Sequence, residues 1–162
     1  GNPEEGELRP QLQDRFGLSV DVRTPSDVPT RVEIIRQREA FDHDRAAFKK
    51  RWARKQSALR RKIQNARAGL DDVDTPAQLL EMAAHLCLSL GTDGLRGELT
   101  LVRSARALAA LQGKNAASPS HLKTVATSVL RHRLRRDPLD ESSADSRVER
   151  AVSELFGNDH DR

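Results

Sequence analysis

Two arginines and their polar neighbours are the residues of this sequence best suited to chemistry. Arg15 follows Asp14 in the segment QDRFG, thirteen residues after Asn2, and Arg96 lies in TDGLRGELT. A guanidinium group presents several N–H donors in one plane and suits the oxygens of a phosphate. An arginine fixed at the end of an element, with an adjacent aspartate to orient it, could serve in contact with a phosphate-bearing ligand. On spacing alone, an ordinary Asp–Arg surface pair is the favoured interpretation, and the phosphate contact is the alternative.

Arg96 is the second candidate for binding an anion. Gly94 and Gly97 flank it, so the backbone beside it is unobstructed and a ligand can approach closely. Arg96 also falls in the first turn of a predicted helix, where the amide dipoles favour negative charge. Arg96 is therefore a candidate for contact with a phosphate. From the residues alone, an ion pair at the start of the helix, with Glu98 or Asp93, is the favoured interpretation.

The elements that must hold these arginines are mainly helical. Of the 162 residues, 36% are hydrophobic and 3% are aromatic, so the core has to be built from Leu, Val, Ile and Ala, which favours helix packing. Alternation in GLSVDV predicts one short strand at 18–22. Helical spacing predicts a bundle of four or five helices from about residue 27 onward. The apolar positions expected to line one face of each helix are Val28, Val32, Ile35; Leu79, Met82, Ala83, Leu86, Leu90; Leu95, Leu99, Val102, Ala105, Leu108; Leu122, Val125, Ala126, Val129; and Val148, Val152, Leu155.

Short polar residues predict where three of the helices begin. Ser26 or Asp27 is the expected N-cap of the first helix of the bundle, and Asp74 or Thr75 that of a later one. Ser118, after the loop QGKNAA, is the expected N-cap of the helix that follows it.

Two basic stretches have more than one interpretation. Residues 45–67 carry ten Lys and Arg, no Asp or Glu and no Gly or Pro, which predicts one long helix. A solvated basic face is the favoured interpretation; docking on an acidic protein surface and nucleic-acid binding are the alternatives. Residues 131–136 are interpreted as a solvated helix end, with contact to a partner protein as the alternative.

The remaining composition excludes several classes of protein. A single cysteine, Cys87, permits no disulfide within the chain, suits a reducing cytoplasm, and is expected to be a small buried residue. The five histidines show no ligand-like spacing, so we expect no metal site. No segment approaches the roughly 20 apolar residues of a membrane span. The expected location is cytoplasmic.

Three long motifs resemble, in the same order, motifs of the ATPase (I) subunits of magnesium chelatase, in particular the bacteriochlorophyll-making version. The motifs are GNPEEGELRPQLQDRFGLSVDV, LGTDGLRGELTLVRSARALAAL and LRHRLRRDPLDE, and the resemblance runs over nearly the whole chain. That family of AAA+ ATPases drives insertion of Mg²⁺ into protoporphyrin IX in chlorophyll and bacteriochlorophyll synthesis. The resemblance implies an α/β nucleotide-binding core followed by a helical lid.

The resemblance also implies a role for each candidate residue. Asn2 matches sensor 1, which positions the water that attacks the γ-phosphate of ATP. Arg15 matches the arginine finger that reaches the ATP of a neighbouring subunit, and Asp14 matches the aspartate beside it at that interface. Arg96 matches the sensor 2 arginine, which contacts the phosphates. Gln13 departs from the apolar residue usual in the family and puts none of these roles in doubt.

The sequence contains no GxxxxGK[ST] phosphate loop and no Walker B acidic pair. We expect both, together with most of the ligands of the Mg²⁺ that accompanies ATP, in sequence upstream of Gly1. The chain is therefore expected to be a C-terminal fragment that does not hydrolyse ATP alone. The expected domains are the edge of the AAA+ core at 1–26, the helical lid at 27–157, and a frayed tail at 158–162.

The resemblance implies several partners and leaves two rivals. The expected partners are further copies in a ring, most simply a hexamer, the chelatase D subunit and the porphyrin-binding H subunit. Under the alternative interpretation, residues 131–136 contact the D subunit. The nearest rivals are the cobalt chelatase ATPase and the AAA+ half of the D subunit. A basic helical nucleic-acid-binding module, resting on 45–67 and 131–136, is the rival from another class, and we expect no nucleic-acid partner.

Overall fold

The computed structural model describes residues 9–134 and 143–157. Asn2, the tail at 158–162 and the end of the 131–136 stretch lie outside these ranges. The described residues form the helices α1 (Pro10–Gln13), α2 (Val28–His43), α3 (Arg45–Ala68), α4 (Ala77–Ser89), α5 (Arg96–Leu111), α6 (Pro119–Leu130) and α7 (Ala144–Gly157). The predicted fold class, mainly α, is confirmed. Within the described ranges, no helix has the length and apolar character needed to cross a membrane.

Helices α4 to α7 pack around one apolar core. The fully buried side chains include Leu79 and Leu86 of α4, Leu101 of α5 and Leu122 of α6. Helix α7 adds Val148 and Val152. The stripes predicted for α4 and α7 are confirmed, and on α6 three of the four predicted residues are buried, with Val125 partly buried against the core. These helices bury one face each because Leu, Val and Ala recur at a spacing of three or four residues.

The buried face of α5 agrees with the predicted one only in part: Ala105 is buried and Val102 packs against the core. Leu95 and Leu99 were expected in the core, but Leu95 is 73% exposed and Leu99 is also exposed. The buried residues recur every four positions instead: Gly97, Leu101, Ala105 and Ala109. Three of these four residues are small, so the backbone of α5 can approach the neighbouring helices closely. This face is therefore buried in place of the face that carries Leu95 and Leu99.

The helix starts agree with the predicted caps at two positions out of three. Asp27 is the N-cap of α2 and accepts a hydrogen bond from the Thr30 N–H at 2.8 Å. Ser118 is the N-cap of α6, and its own N–H donates to His121 Nδ1 at 3.0 Å. Helix α4 instead has Pro76 as its N-cap, because the backbone of Asp74 is engaged in a parallel bridge with Ala116.

The predicted strand at 18–22 is wrong for the described chain. Residues 18–22 adopt no strand, and Leu18, Val20 and Val22 are exposed. The segment lacks a ladder partner among the described residues, and a single strand has nothing to pair with. Its backbone contacts the helical bundle through a hydrogen bond from Ser19 N–H to the Ser128 carbonyl at 2.7 Å.

Residues 21–65 form a compact unit separate from the unit made by 1–20 and 66–162. The unit 21–65 holds α2 and most of α3, which Asp44 separates by taking an extended conformation. The long basic helix is confirmed, but neither α2 nor α3 buries a residue, and Val28, Val32 and Ile35 are exposed. The domain boundary proposed after residue 26 remains a prediction.

Candidate functional site

Arg133, just beyond the end of α6, connects the segment 14–17 to the helical bundle through hydrogen bonds. Its side chain is 4% exposed. Nη2 donates to the carbonyls of Phe16 at 2.7 Å and Asp14 at 3.3 Å, while Nη1 donates to the carbonyl of Gly17 at 3.3 Å and to that of Val129. One planar guanidinium group thus binds three carbonyls of a segment that is over one hundred residues away in sequence.

Asp14 joins Arg133 to Arg96. One carboxylate oxygen forms an ion pair with Nη1 of Arg96, and the other lies 3.6 Å from Nε of Arg133. The two side chains of the Asp14–Arg96 pair are about half exposed, Arg96 at 53%. Because such a pair is only weakly stabilising in water, an incoming anion can compete with Asp14 for the guanidinium group. The alternative of a pair at the helix start, with Glu98 or Asp93, did not include this long-range partner.

Arg96 lies in the first turn of a helix, as predicted, but the role predicted for Gly97 is wrong. Helix α5 begins at Arg96, and Gly94 has φ +67°, a left-handed conformation that favours glycine. Gly97 was expected to open the backbone to a ligand, but it is buried. A Cβ atom there would lie 3.3 Å from Cys87 Sγ and 3.6 Å from Leu130 Cδ2. Gly97 therefore serves helix packing.

Arg15 lies in the middle of the anchored segment. Its side chain is exposed, whereas the carbonyls on both sides of it, those of Asp14 and Phe16, are bound by Arg133. Its own N–H donates to the Leu12 carbonyl at 3.1 Å, which closes the turn after α1. The backbone of Arg15 is thus held by hydrogen bonds on both sides of the residue, while its side chain is exposed. Asn2, the remaining candidate, lies outside the described residues.

His132 adds a second contact to the same segment. Its Nε2 lies 3.0 Å from the Phe16 carbonyl and 2.7 Å from Nη1 of Arg133. A neutral ring that carries its proton on Nε2 donates to the carbonyl; the other tautomer accepts from Arg133. Burial lowers the pKa of His132, with Arg133 and Arg131 adding to the effect against Asp14 and the Phe16 hydrogen bond. Burial also lowers the pKa of Arg133, and Asp14 opposes that shift.

Sequence analysis missed Arg133 and His132. The stretch 131–136 was interpreted as a solvated helix end, and for its described part this is wrong. Arg133 is buried, and Arg131 Nε lies 3.0 Å from Asp145 Oδ1 in α7. A signal was present, because Arg133 follows Leu122, Ala126 and Val129 at helical spacing on the buried face of α6. An arginine that continues an apolar stripe predicts a buried, paired guanidinium group.

Cys87 is buried as predicted, and burial raises the pKa of its thiol to about 11. Among residues 9–134 and 143–157, no three His, Cys, Asp or Glu side chains lie close enough together to hold a metal ion. The two candidate guanidinium groups, those of Arg15 and Arg96, are on exposed residues and can meet an anion from outside the bundle.

The class of the protein follows from two comparisons. Residues 80–152 match the family model of the AAA lid domain. The crystal structure of a protein described as an ATPase, from Cytophaga hutchinsonii, matches with a TM-score of 0.67 and 16% sequence identity, over 91% of this chain and 48% of that one. At this identity the likeness establishes the fold alone. Helices α4 to α7 therefore make up an AAA lid domain.

Curated relatives give the particular family. The chain is 60% identical over 156 residues to the magnesium-chelatase 38 kDa subunit of Acidiphilium rubrum, covering 96% of this chain and 45% of that protein. Identity to the corresponding subunit of Cereibacter sphaeroides is 59%, over 96% of this chain and 47% of the relative. The chain belongs to the magnesium-chelatase 38 kDa subunit family of AAA ATPases. It spans a little under half the length of the relatives it matches.

Proposed function

We propose that this chain forms the lid side of an ATP-hydrolysing site in the motor subunit of magnesium chelatase. The motor would couple ATP hydrolysis to insertion of Mg²⁺, as substrate, into protoporphyrin IX. The observation that carries the proposal is the ion pair between Asp14 and Arg96. It joins two segments, 82 residues apart in sequence, each of which contains an arginine suited to a phosphate.

Arg96 is the group we assign to the nucleotide phosphates. It stands at the first residue of α5, where unpaired backbone N–H groups favour an anion. Its guanidinium group is half exposed and its partner, Asp14, has a second cation nearby in Arg133. If Arg96 leaves Asp14 to bind a phosphate, the negative charge of the Asp14 carboxylate is therefore still balanced by Arg133. This is the sensor 2 role.

Arg15 is the group we assign to a neighbouring subunit. An exposed guanidinium group on a fixed backbone can reach across an interface, and it has a function only where a second copy brings a nucleotide to it. Its charge would stabilise the transferring phosphoryl group, a contribution worth about 10³–10⁵ in rate in GTPases. This role requires a ring of subunits, for which we propose a hexamer, with Asp14 at the interface.

The described residues fit the phosphates of ATP but provide no group of metal ligands. When bound, Mg²⁺ neutralises phosphate charge during transfer; its ligands, like the phosphate loop, would belong to a part of the protein not included in this sequence. Asn2 would orient the attacking water. The chain alone is not expected to hydrolyse ATP.

The partners we propose are the chelatase D subunit and the porphyrin-binding H subunit. Identities near 60% to subunits named for magnesium chelatase favour magnesium over cobalt as the metal inserted. The high identity also favours the I subunit over the AAA+ half of the D subunit.

The test is ATP turnover by the full-length protein carrying Arg15→Ala or Arg96→Ala. We expect Arg15→Ala to leave ATP binding nearly intact and to lower kcat by about 10³-fold or more. Arg96→Ala should weaken nucleotide-dependent assembly, measured by size-exclusion chromatography with and without ATP. Arg103→Ala, at an exposed arginine farther along α5, is the matched control and should behave as wild type. Normal turnover by a ring made only of Arg15→Ala subunits would refute the finger assignment.

A further inference from the structure

Arg133 binds the backbone on both sides of Arg15. Its donors reach the carbonyls of Asp14 and Phe16 at 3.3 and 2.7 Å and that of Gly17 at 3.3 Å. The carbonyl of Val129, at the end of α6, accepts from the same side chain. Arg15 itself, on this segment, has an exposed side chain.

Only a guanidinium group can make this set of contacts. Its five N–H donors have a fixed planar arrangement, whereas a lysine ammonium group has three donors at one point. Three carbonyls of one segment and one of a helix end cannot all lie within hydrogen-bonding distance of a single ammonium nitrogen. Burying such a charge is costly unless its partners are in place, so the four carbonyls and the nearby Asp14 carboxylate, 3.6 Å from Nε, hold Arg133 in one position.

We infer that Arg133 is a positioning residue for Arg15, fixing the backbone from which that side chain reaches a neighbouring subunit's nucleotide. This inference rests on the proposed function of Arg15. Displacement of a reacting group by about 1 Å can cost about 10²-fold in rate. The contacts of Arg133 therefore act on turnover through Arg15, and not on ATP affinity.

The experiment measures ATP turnover by the full-length protein carrying Arg133→Lys, which keeps the charge and loses the planar set of donors. We expect kcat to fall about 10-fold to 100-fold while KM for ATP stays within about twofold. The matched control is Arg131→Lys, two residues earlier, whose partner in the structure is Asp145; it should keep wild-type kcat. If Arg133→Lys melts more than about 5 °C below wild type, turnover of both proteins is measured at a temperature at which circular dichroism shows both to be fully folded.

A double variant separates positioning from a general structural role. If Arg133 acts through Arg15, the variant Arg15→Ala/Arg133→Lys should turn over ATP as slowly as Arg15→Ala alone, because the group being positioned is already gone. A further loss equal to that of Arg133→Lys alone would overturn the inference. Amide hydrogen exchange at residues 15–19 should rise at least about 10-fold in Arg133→Lys and stay unchanged in Arg131→Lys.

The outcomes distinguish this inference from the proposed function. Slow turnover by Arg15→Ala together with wild-type turnover by Arg133→Lys would overturn the positioning role and leave the finger in place. Normal turnover by Arg15→Ala would refute the finger and the positioning role together.

Discussion

The two compact units of this chain are both helical and differ in what holds them together. Helices α4 to α7 share a core in which Leu101, Leu122 and Ala126 are inaccessible to water. In the unit at 21–65, α2 and α3 bury no residue at all. Most helical stability in proteins comes from packing of an apolar face, so the two units should respond very differently to the same change.

Local contacts around Asp44 replace a core in the unit at 21–65. The rings of Phe41 and Phe48 meet edge to face with centroids 5.6 Å apart, and Phe48 lies 6.1 Å from Trp52. Cations cover these rings: Arg38 and Arg45 at Phe41, Arg51 at Phe48, and Lys55 at Trp52. Exposed contacts of this kind contribute about 0.5–1 kcal/mol each. An apolar stripe on a helix therefore does not by itself produce a buried core.

The largest contrast should come from removing a leucine side chain in each unit. Leu122→Ala, in the core, should lower the free energy of unfolding by about 2–5 kcal/mol through lost burial and a residual cavity. Leu59→Ala in α3, where the side chain is 51% exposed, should cost about 0.5 kcal/mol or less.

Urea unfolding can follow each unit with its own probe. Trp52, the only tryptophan, reports on α3 by fluorescence, and Cys87 reports on the bundle because its buried thiol should react only when the bundle opens. Equal losses in the two variants would contradict the distinction between the units.

The next largest difference between the two units should come from adding side-chain volume to one helix of each. Gly97→Val places atoms against Cys87 and Leu130, where even a Cβ would be within 3.3–3.6 Å, and should cost about 1–3 kcal/mol by overpacking. Ala53→Val, at an exposed position of α3, should cost only the difference in helix propensity, about 0.5 kcal/mol. Thermal unfolding followed by circular dichroism measures both. A Gly97→Val protein as stable as the Ala53→Val protein would show that α5 does not pack on this face.

A smaller effect should appear on acidification of the bundle. Because burial lowers the pKa of His132, the unfolded chain, with the ordinary value of about 6.5, binds more protons than the folded chain in the window below that value. The free energy of unfolding should therefore fall as the pH drops through 6.5 toward the lowered folded pKa. His132→Gln should reduce this slope in urea titrations between about pH 7 and pH 5, and His43→Gln, in α2, is the control. If the slope of the free energy of unfolding against pH is unchanged in His132→Gln, groups other than His132 cause the pH dependence.

The smallest effect should be local to the start of α2. Hydrogen bonding from Thr30 lowers the pKa of Asp27, so the charged cap stabilises the helix start above the ordinary value of about 3.9 and is lost as the pH falls through the lowered folded value. The amide chemical shift of Thr30 should titrate in this range. Asp27→Asn keeps an oxygen acceptor and should abolish the titration; persistence of the titration in that variant would mean that another carboxylate causes it.

The sequence was a good guide where one local pattern had one solution. The buried faces of α4 and α7, the long helix α3 and the caps at Asp27 and Ser118 were predicted because spacing and capping are properties of a few neighbouring residues. It was wrong for Leu95 and Leu99 of α5, where two faces share the helical period, and at 18–22, where a strand needs a partner. It also failed at Arg133, three of whose carbonyl partners lie more than one hundred residues away.

The sequence by itself determined the helical class, the starts of α2 and α6, and the family; that Arg15 and Arg96 meet a phosphate stays a prediction. Each of these depends on residue type and on contacts within a turn or two of chain. The tertiary structure alone decided that Asp14 pairs with Arg96, that Arg133 holds the backbone beside Arg15, and that the face of α5 with Gly97 lies inside. Contacts between distant segments depend on how whole helices pack, because burial and ion pairing are set by the atoms that the fold brings together.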